Sequence, residues 1–273
     1  MLVHKPKKCF GQHFLVNTRI ADRIVEHAGI APGDRILEIG PGRGMLTERL
    51  LEKGAAVTAV EIDHALAGFL KERFGSRVGF IFIEADILKL DLGILFQDSP
   101  GRIKTVSNLP YNISTPVIEL LCRSRKLVSE AVLMVQREVA RRILSSPGTR
   151  DYGLTTLNLA LCAQGRRLMD VKPSAFNPPP KVMSRVISLV FSEELLYPLK
   201  DETVFRAVTG AAFRQRRKMV RNTLKPYLNS LGIADSEVYR MLETAGIHPE
   251  ARPETIDAEQ FVRLSNAVDR KLV

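Results

Sequence analysis

A glycine-rich segment and two acidic residues have the spacing of a nucleoside-binding site. The segment Glu38–Gly44, EIGPGRG, follows an apolar stretch and precedes a helical pattern. Glycine lets the backbone approach a ligand at the carboxyl edge of a doubly wound sheet. Glu61 ends the next predicted strand, 21 residues after Gly40, where a carboxylate can accept hydrogen bonds from ribose hydroxyls. Asp86 follows a third predicted strand and adds an acceptor suited to an adenine amino group.

A departure from the dinucleotide pattern indicates which nucleoside is bound. G-x-G-x-x-G would require glycine at position 45, where this chain has Met45. The pyrophosphate cradle is therefore incomplete, and S-adenosylmethionine is the favoured cofactor. Glu61 does not distinguish S-adenosylmethionine from NAD as the cofactor, because NAD enzymes also have an acidic residue at this position. A tight turn without a ligand stays open as an alternative for the loop, and an isolated Asp86 is typical of a turn former.

A second motif, Asn108-Leu109-Pro110-Tyr111, follows another predicted strand and resembles the motif of methyltransferases that modify exocyclic amino groups. The amino nitrogen of adenine is a poor nucleophile because its lone pair is delocalised into the ring. The side-chain oxygen of Asn108 and the carbonyl of Leu109 could accept its two N–H bonds, and Pro110 adds no competing donor. Tyr111 could stack on the extruded base. The alternative is a plain turn before a helix.

Alternating strands and helices are predicted to hold these residues. Apolar stretches predict strands over Arg35–Ile39, Ala56–Glu61, Val78–Ile83, Ile103–Ser107, Ala131–Val135, Arg167–Val171 and Val186–Phe191. Helices predicted near Met45–Lys53 and Ala65–Arg73 complete βαβ units, so we expect an α/β, Rossmann-like, doubly wound and mostly parallel sheet. The last two strands are expected to form an antiparallel hairpin at the sheet edge.

Helical periodicity replaces the strand pattern after Phe191. Helices are predicted over Val204–Arg214, Lys218–Tyr227, Val238–Ala245 and Ala258–Val268, with Asp257 as the N-cap of the last one. We therefore expect two domains: residues 1–191 as a cofactor-binding catalytic domain, and residues 192–273 as a small all-α, RNA-binding domain.

Composition excludes several classes of protein. Hydrophobic residues make up 45% and charged residues 26% of the chain, as in ordinary folded domains. No run of about 18 apolar residues and no signal-like segment occurs, so we expect a cytoplasmic protein without a membrane partner. The three cysteines and five histidines are dispersed, which predicts neither a disulfide framework nor a metal site.

Positive charge is concentrated in the middle of the chain. Of the net +10, residues 123–190 carry 12 Lys/Arg against 4 Asp/Glu, which predicts a phosphate-binding face. A second basic stretch lies near the C-terminus and is expected on a helix, although it could equally be solvated surface. The predicted RNA-binding residues are Arg123, Arg141, Arg142, Arg214, Arg216, Arg217, Lys218 and Arg221.

Four motifs in order give the chain its resemblance to a known family. They are KCFGQHFL at residues 8–15, NLPYNIS at 108–114, FNPPPKVMSRV at 176–186, and AFRQRRK at 212–218 with Asn222 and Leu224. The chain resembles the ribosomal RNA adenine dimethylases over nearly its whole length. It is most similar to the bacterial members that modify two adjacent small-subunit adenosines.

The resemblance implies a class I methyltransferase fold and a function in ribosome biogenesis. The implied substrate is 16S ribosomal RNA in the immature small subunit, dimethylated at N6 of two adjacent adenosines near its 3′ end by a monomer. Phe176 is implied as the second face of a sandwich around the base, with Asn108, Leu109, Pro110 and Tyr111 as the other catalytic residues. The predicted cofactor contacts are His13, Leu15, Gly40, Gly42, Glu61, Ile62, Asp86, Ile87 and Asn108.

Three other functions compete with this interpretation. A 23S ribosomal RNA adenine N6-methyltransferase of the resistance type shares the site, but the C-terminal motif argues against it. An RNA-binding assembly factor with secondary catalysis is compatible with the same motifs. An NAD dehydrogenase would explain Gly40 and Glu61 but leaves the segment Asn108–Tyr111 unexplained.

Overall fold

The structure is a computed structural model that describes residues 12–272, with side chains to residue 269. The first part of the N-terminal motif, residues 8–11, lies outside the described residues. The chain forms two compact units: one contains the residues up to Ala140 and Ala163–Glu193, and the other contains Arg141–Cys162 and the residues from Glu194 onward. The structure therefore differs from the predicted single boundary after residue 191, because Tyr152, Leu157 and Leu161 pack into the core of the second unit.

The first unit is built on a seven-stranded sheet with a separate two-stranded pair. Its strands are β1 (Phe14–Leu15), β2 (Arg35–Ile39), β3 (Ala56–Glu61), β4 (Phe80–Glu84), β5 (Ile103–Asn108), β6 (Val128–Gln136), β7 (Ala163–Val171), β8 (Phe176–Asn177) and β9 (Ser184–Phe191). The sheet order is β4-β3-β2-β5-β6-β9-β7, and β1 pairs with β8.

The direction of the strands confirms the predicted fold class. Strands β2 to β6 run parallel, whereas β9 is antiparallel to both β6 and β7 at the sheet edge. The predicted antiparallel edge pair is thus confirmed. Parallel strands bring their carboxyl ends to one edge, which is where a doubly wound fold binds ligands.

Helices cover the sheet and form the second unit. They are α1 (Thr18–His27), α2 (Met45–Glu52), α3 (His64–Phe74), α4 (Leu92–Leu95), α5 (Ser114–Arg123), α6 (Arg137–Ile143), α7 (Leu154–Ala160), α8 (Glu202–Phe213), α9 (Val220–Ser230), α10 (Asp235–Thr244) and α11 (Ala258–Leu272). Asp257 caps α11 as predicted: its carboxylate accepts from the Gln260 N–H at 2.7 Å, and the Gln260 side chain accepts from the Asp257 N–H at 3.1 Å. This reciprocal pair is a capping box.

Two predicted boundaries are wrong for local reasons. Strand β4 begins at Phe80 and not at Val78, because Gly79 has a φ of +83° and Val78 is 98% exposed. The predicted helix from Lys218 begins at Val220 instead. The residues 214–218 between α8 and α9 form a turn, closed by a hydrogen bond from the Lys218 N–H to the Gln215 carbonyl at 2.9 Å.

Each unit has its own apolar core. In the first, buried side chains from α1, α2 and α3 pack on one face of the sheet. In the second, Phe205 of α8 and Phe261 of α11 are fully buried among apolar residues of α7, α9 and α10. No helix within residues 12–272 is both long and apolar enough to cross a membrane.

Candidate active site

A cavity of about 310 Å³ opens at the carboxyl edge of the sheet. This volume is within the range of small-molecule sites. Its walls come from the ends of β2, β3 and β5, from the turn after β4, and from β1. The lining includes Gln12–Leu15, Glu38–Arg43, Val60–Ile62, Ala85–Leu88 and Asn108–Ile113.

The structure brings nearly all of the predicted site residues to this cavity. Every residue predicted to contact the cofactor lines it, as do four predicted catalytic residues: Asn108, Leu109, Pro110 and Tyr111. Phe176 does not. Strand β8 carries Phe176 into the core opposite Leu15, where it is 4% exposed. Stacking of Phe176 on a base stays a prediction, and it would require this side chain to become accessible.

The glycine loop is shaped to bring backbone close to a ligand. Gly40 and Gly42 have φ angles of +64° and +58°, a region that side chains with a Cβ rarely adopt. A Cβ at Gly40 would lie 3.2 Å from Pro110, and one at Gly42 would lie 3.0 Å from Phe14. A side chain at either position would therefore crowd the wall of the cavity.

Glu61 anchors this loop as well as lining the cavity. Its Oε1 accepts from the N–H groups of Ile62 and Asp63 at 3.0 Å each, and its Oε2 accepts from the Gly42 N–H at 3.3 Å. Glu61 is 6% exposed, and burial raises the pKa of its carboxyl above the usual range. A carboxylate has about four acceptor positions, so Oε2 retains one for a ribose hydroxyl.

Asp86 caps a turn, as is typical of an isolated aspartate, and it also lines the cavity. Its Oδ1 accepts from the Leu88 N–H at 3.0 Å and so caps the 3₁₀ turn Ile87–Lys89. The turn places Asp86 and Ile87 side by side in the wall. Capping and ligand contact are compatible because the cap uses one of the two carboxylate oxygens.

Glu38 is a site residue that sequence reasoning did not single out. It lines the cavity, is 1% exposed, and accepts a hydrogen bond from Thr47 Oγ1 at 2.7 Å. Burial raises the pKa of its carboxyl to about 8. The sequence feature that could have identified Glu38 is its position as an acid near the end of the apolar strand β2. An acid in such a strand is expected to be buried, and a buried carboxyl needs a partner. A positively charged ligand group would be such a partner.

Contacts with His13 set the orientation of the Asn108 amide. The Nδ2 of Asn108 donates to the His13 carbonyl at 3.3 Å. Because a carbonyl only accepts, the amide must present its NH₂ to His13 and keep Oδ1 as an acceptor. Within the part of the chain that the structure describes, no donor is bonded to Oδ1.

Tyr111 is held at two points beside Asn108. Its hydroxyl shares a hydrogen bond with Ser184 Oγ at 2.6 Å, and its ring centroid lies 5.5 Å from that of His13. Burial raises the pKa of Tyr111, so the phenol is neutral at physiological pH. The His13 ring is itself fixed, because Nδ1 donates to the Pro178 carbonyl at 2.8 Å.

The predicted RNA-binding residues fall into two groups. Three have partners within the second unit: Arg141 pairs with Asp151 at 2.6 Å, Arg216 donates to the Thr149 carbonyl at 2.9 Å, and Arg221 lies 3.7 Å from Glu250. The others are exposed: Arg123, Arg142, Arg214, Arg217 and Lys218.

The prediction that the second basic stretch lies on a helix is wrong for Arg214–Lys218, which form the turn between α8 and α9. The Arg216–Thr149 bond brings this turn beside the loop that carries Arg150. Two basic stretches that are distant in the sequence therefore meet on the second unit. No group of three or more potential metal ligands occurs among the described residues.

Glu38→Gln should change how stability depends on pH. Between pH 4.5 and 8 the unfolded chain releases the Glu38 proton while the folded chain retains it, so the free energy of unfolding falls as pH rises. Glutamine removes this titration. As the pH rises from 5 to 8, we expect the free energy of unfolding of the variant to increase by roughly 1 to 4 kcal/mol relative to that of the parent protein, measured by urea unfolding. The exposed Glu52→Gln serves as control, and a pH dependence of Glu38→Gln parallel to the parent would contradict the assignment.

Comparison with known proteins gives the family. The family model for ribosomal RNA adenine dimethylases matches residues 3–270. A relative from Pseudomonas syringae pv. syringae, "Ribosomal RNA small subunit methyltransferase A", is 40% identical over 99% of this chain and 97% of its own.

Two solved structures share the fold over nearly the full length. A dimethyladenosine transferase from Plasmodium falciparum has a TM-score of 0.79 and 28% identity, covering 95% of this chain and 98% of its own. The 23S rRNA methyltransferase ErmE has a TM-score of 0.67 and 25% identity, covering 94% and 99%. The chain belongs to the ribosomal RNA adenine dimethylase family.

Proposed function

We propose that the protein transfers methyl groups from S-adenosylmethionine to N6 of two adjacent adenosines near the 3′ end of 16S ribosomal RNA. The proposed substrate is the immature small subunit in the cytoplasm, during ribosome biogenesis. We also propose that the protein acts as a monomer. The observation that carries the proposal is the Asn108 amide, whose oxygen lies at the wall of a nucleoside-sized cavity and has no bonded donor among the described residues.

The choice of RNA rests on the relatives. The Pseudomonas protein that is 40% identical is named for the small ribosomal subunit, and the likeness to the dimethyladenosine transferase is greater than that to ErmE, with TM-scores of 0.79 and 0.67. These comparisons favour 16S over 23S RNA. An assembly factor that only binds RNA would have no use for the oriented amide.

The donor groups of the cavity fit S-adenosylmethionine. This cofactor supplies a methyl group on a positively charged sulfur. Glu61 Oε2 would accept from ribose hydroxyls, Asp86 from the adenine amino group, and Glu38 from the ammonium of the methionine part. Gly40 and Gly42 leave room for the ligand where a Cβ would crowd the wall.

Asn108 and Leu109 would prepare the target nitrogen. The Asn108 oxygen accepts one N–H of the adenine amino group and the Leu109 carbonyl accepts the other, so the lone pair is turned out of the ring plane. Positive charge grows on that nitrogen during transfer, and both acceptors stabilise it more strongly as it grows. No strong base is needed, because the methylated amine is acidic and loses its proton to water.

Tyr111 would hold the extruded base. The bond to Ser184 and the contact with His13 restrict the ring before RNA binds, so little rotamer freedom is lost on stacking. Stacking of a base on an aromatic ring contributes about 1 to 3 kcal/mol, which offsets part of the cost of unstacking it.

We propose that the first unit carries catalysis and that the second unit, which combines Arg141–Cys162 with nearly all of the predicted domain of residues 192–273, contributes RNA binding. Arg214, Arg217 and Lys218 are exposed on the turn that meets the Arg150 loop, so their charges can face phosphates. Arg216 is bonded to the Thr149 carbonyl and mainly holds this arrangement together.

Glu61→Gln should weaken binding of S-adenosylmethionine. A charged acceptor for the ribose is lost, which corresponds to roughly 1.5 to 3 kcal/mol, or about 10- to 100-fold in Kd. Isothermal titration calorimetry measures the effect, and NAD should not bind. The matched control is Glu84→Gln at the end of β4, outside the cavity lining. An unchanged affinity would restrict Glu61 to holding the loop.

Asn108→Ala should reduce the methylation rate at saturating RNA by about 10²- to 10³-fold, because it removes one preorganised electrostatic contact. RNA affinity should change far less. Single-turnover transfer of a tritiated methyl group to undermethylated small subunits measures the rate, with the exposed Asn229→Ala as control. A near-normal rate would mean that another group orients the adenine. Methylation of 23S RNA in preference to 16S RNA would refute the proposed substrate.

The double change Arg217→Gln/Lys218→Gln should flatten the salt dependence of binding to small subunits. Each lost phosphate contact reduces the slope of log K against log salt by about 0.7 to 0.9. The matched control is Arg206→Gln/Arg240→Gln, which removes the same charge from α8 and α10. Equal slopes for the two double variants would mean that the turn does not contact RNA phosphates.

A further inference from the structure

Two arginines bind one aspartate at the edge of the first unit, and the charge of a third arginine acts on the same carboxylate. Arg185 of β9 binds Asp170 of β7 with two hydrogen bonds, at 2.5 and 3.0 Å. Arg167 donates to the same carboxylate at 3.0 Å, and Arg137 acts on it through space. Three positive charges thus meet one negative charge, and the cluster keeps an excess of positive charge.

The three arginines differ in how much donor capacity remains. Arg185 is 13% exposed and uses two N–H groups on Asp170, so its role is to hold the carboxylate. Arg167 is 57% exposed and uses only one nitrogen in its ion pair with Asp170. Arg137 is exposed at the start of α6, and its backbone N–H donates to the Met183 carbonyl. Each guanidinium has five donors, so Arg137 and Arg167 have several left for an anion.

Strand register places this cluster at the same carboxyl edge of the sheet as Asn108. Asn108 pairs with Met134 on β6, the next residue Val135 pairs with Arg185 on β9, and Arg185 pairs with Asp170 on β7. At the usual spacing between strands, the cluster lies roughly 10 to 15 Å from Asn108 along one sheet edge. Ser184, which holds the Tyr111 hydroxyl, directly precedes Arg185.

We infer that Arg137 and Arg167, organised by the Arg185–Asp170 pair, form a binding site for a phosphodiester of the RNA strand that carries the target adenosine. This inference rests on the proposed function. A base inserted between Asn108 and Tyr111 leaves its backbone outside the cavity, at the edge where the arginines lie. The exposed Lys172 and Lys181 flank the same edge and add to its positive charge.

A simple surface ion pair would not need this arrangement. One arginine satisfies one carboxylate, and the bidentate Arg185–Asp170 bond already does so. Additional arginines would repel one another unless an anion shares them. The lowered pKa of Asp170, caused first by the hydrogen bond from Arg185, agrees with a surplus of positive charge around it. RNA phosphate supplies the missing negative charge.

The test is the full-length double variant Arg137→Gln/Arg167→Gln, which leaves the Arg185–Asp170 pair in place. Its control is Lys53→Gln/Arg77→Gln, which removes two exposed charges from the opposite, amino edge of the sheet. Binding to undermethylated small subunits is measured from low to high salt. We expect the log-log slope to fall by about 0.7 to 0.9 per contact in the first variant only.

A charge-preserving variant separates electrostatics from structure. Arg137→Lys/Arg167→Lys should retain most of the slope, because lysine also binds phosphate as a point charge. If the parent protein methylates small subunits but Arg137→Gln/Arg167→Gln keeps the parent slope, the inference is wrong and the proposed function stands. If the parent protein does not methylate small subunits at all, both fail.

Discussion

The buried carboxylate of Glu61 is the contact on which the cavity depends. It accepts three backbone N–H groups, from Gly42, Ile62 and Asp63, and so ties the glycine loop after β2 to the end of β3. Buried amides without an acceptor are costly, so the loop is stable only with this carboxylate in place. In the proposed function, the same side chain would bind a ribose without moving. Binding and loop geometry are therefore coupled in one residue.

His13 connects the cofactor wall to the catalytic loop. Its carbonyl orients the Asn108 amide, its ring lies against Tyr111, and its Nδ1 donates to Pro178. Strand β1, which follows directly, pairs with β8, so the segments around residues 13 and 177 are fixed together. Preorganised acceptors do not have to reorient as charge develops, which is how such a site lowers a barrier.

Charge is divided between the inside and the outside of the site. The cavity contains Glu38 and Glu61, two buried acids suited to a cationic ligand, whereas the neighbouring sheet edge carries arginines around Asp170. In the proposed function, a sulfonium cofactor and a polyanionic RNA have opposite charges, so separating the acids from the arginines would keep each ligand in its own place. Burial maintains the separation, because the acids are shielded from water and the arginines are in contact with it.

The sequence by itself determined the order of βαβ units, the glycine loop, the acidic strand ends and the Asn108–Tyr111 motif, because periodicity and spacing are local properties. Only the tertiary structure decided which way the Asn108 amide points, since its partner His13 is 95 residues away. Packing likewise buried Phe176, made Arg214–Lys218 a turn and brought Arg167 and Arg185 to Asp170. Burial and long-range contacts depend on which elements meet, and no local pattern encodes that.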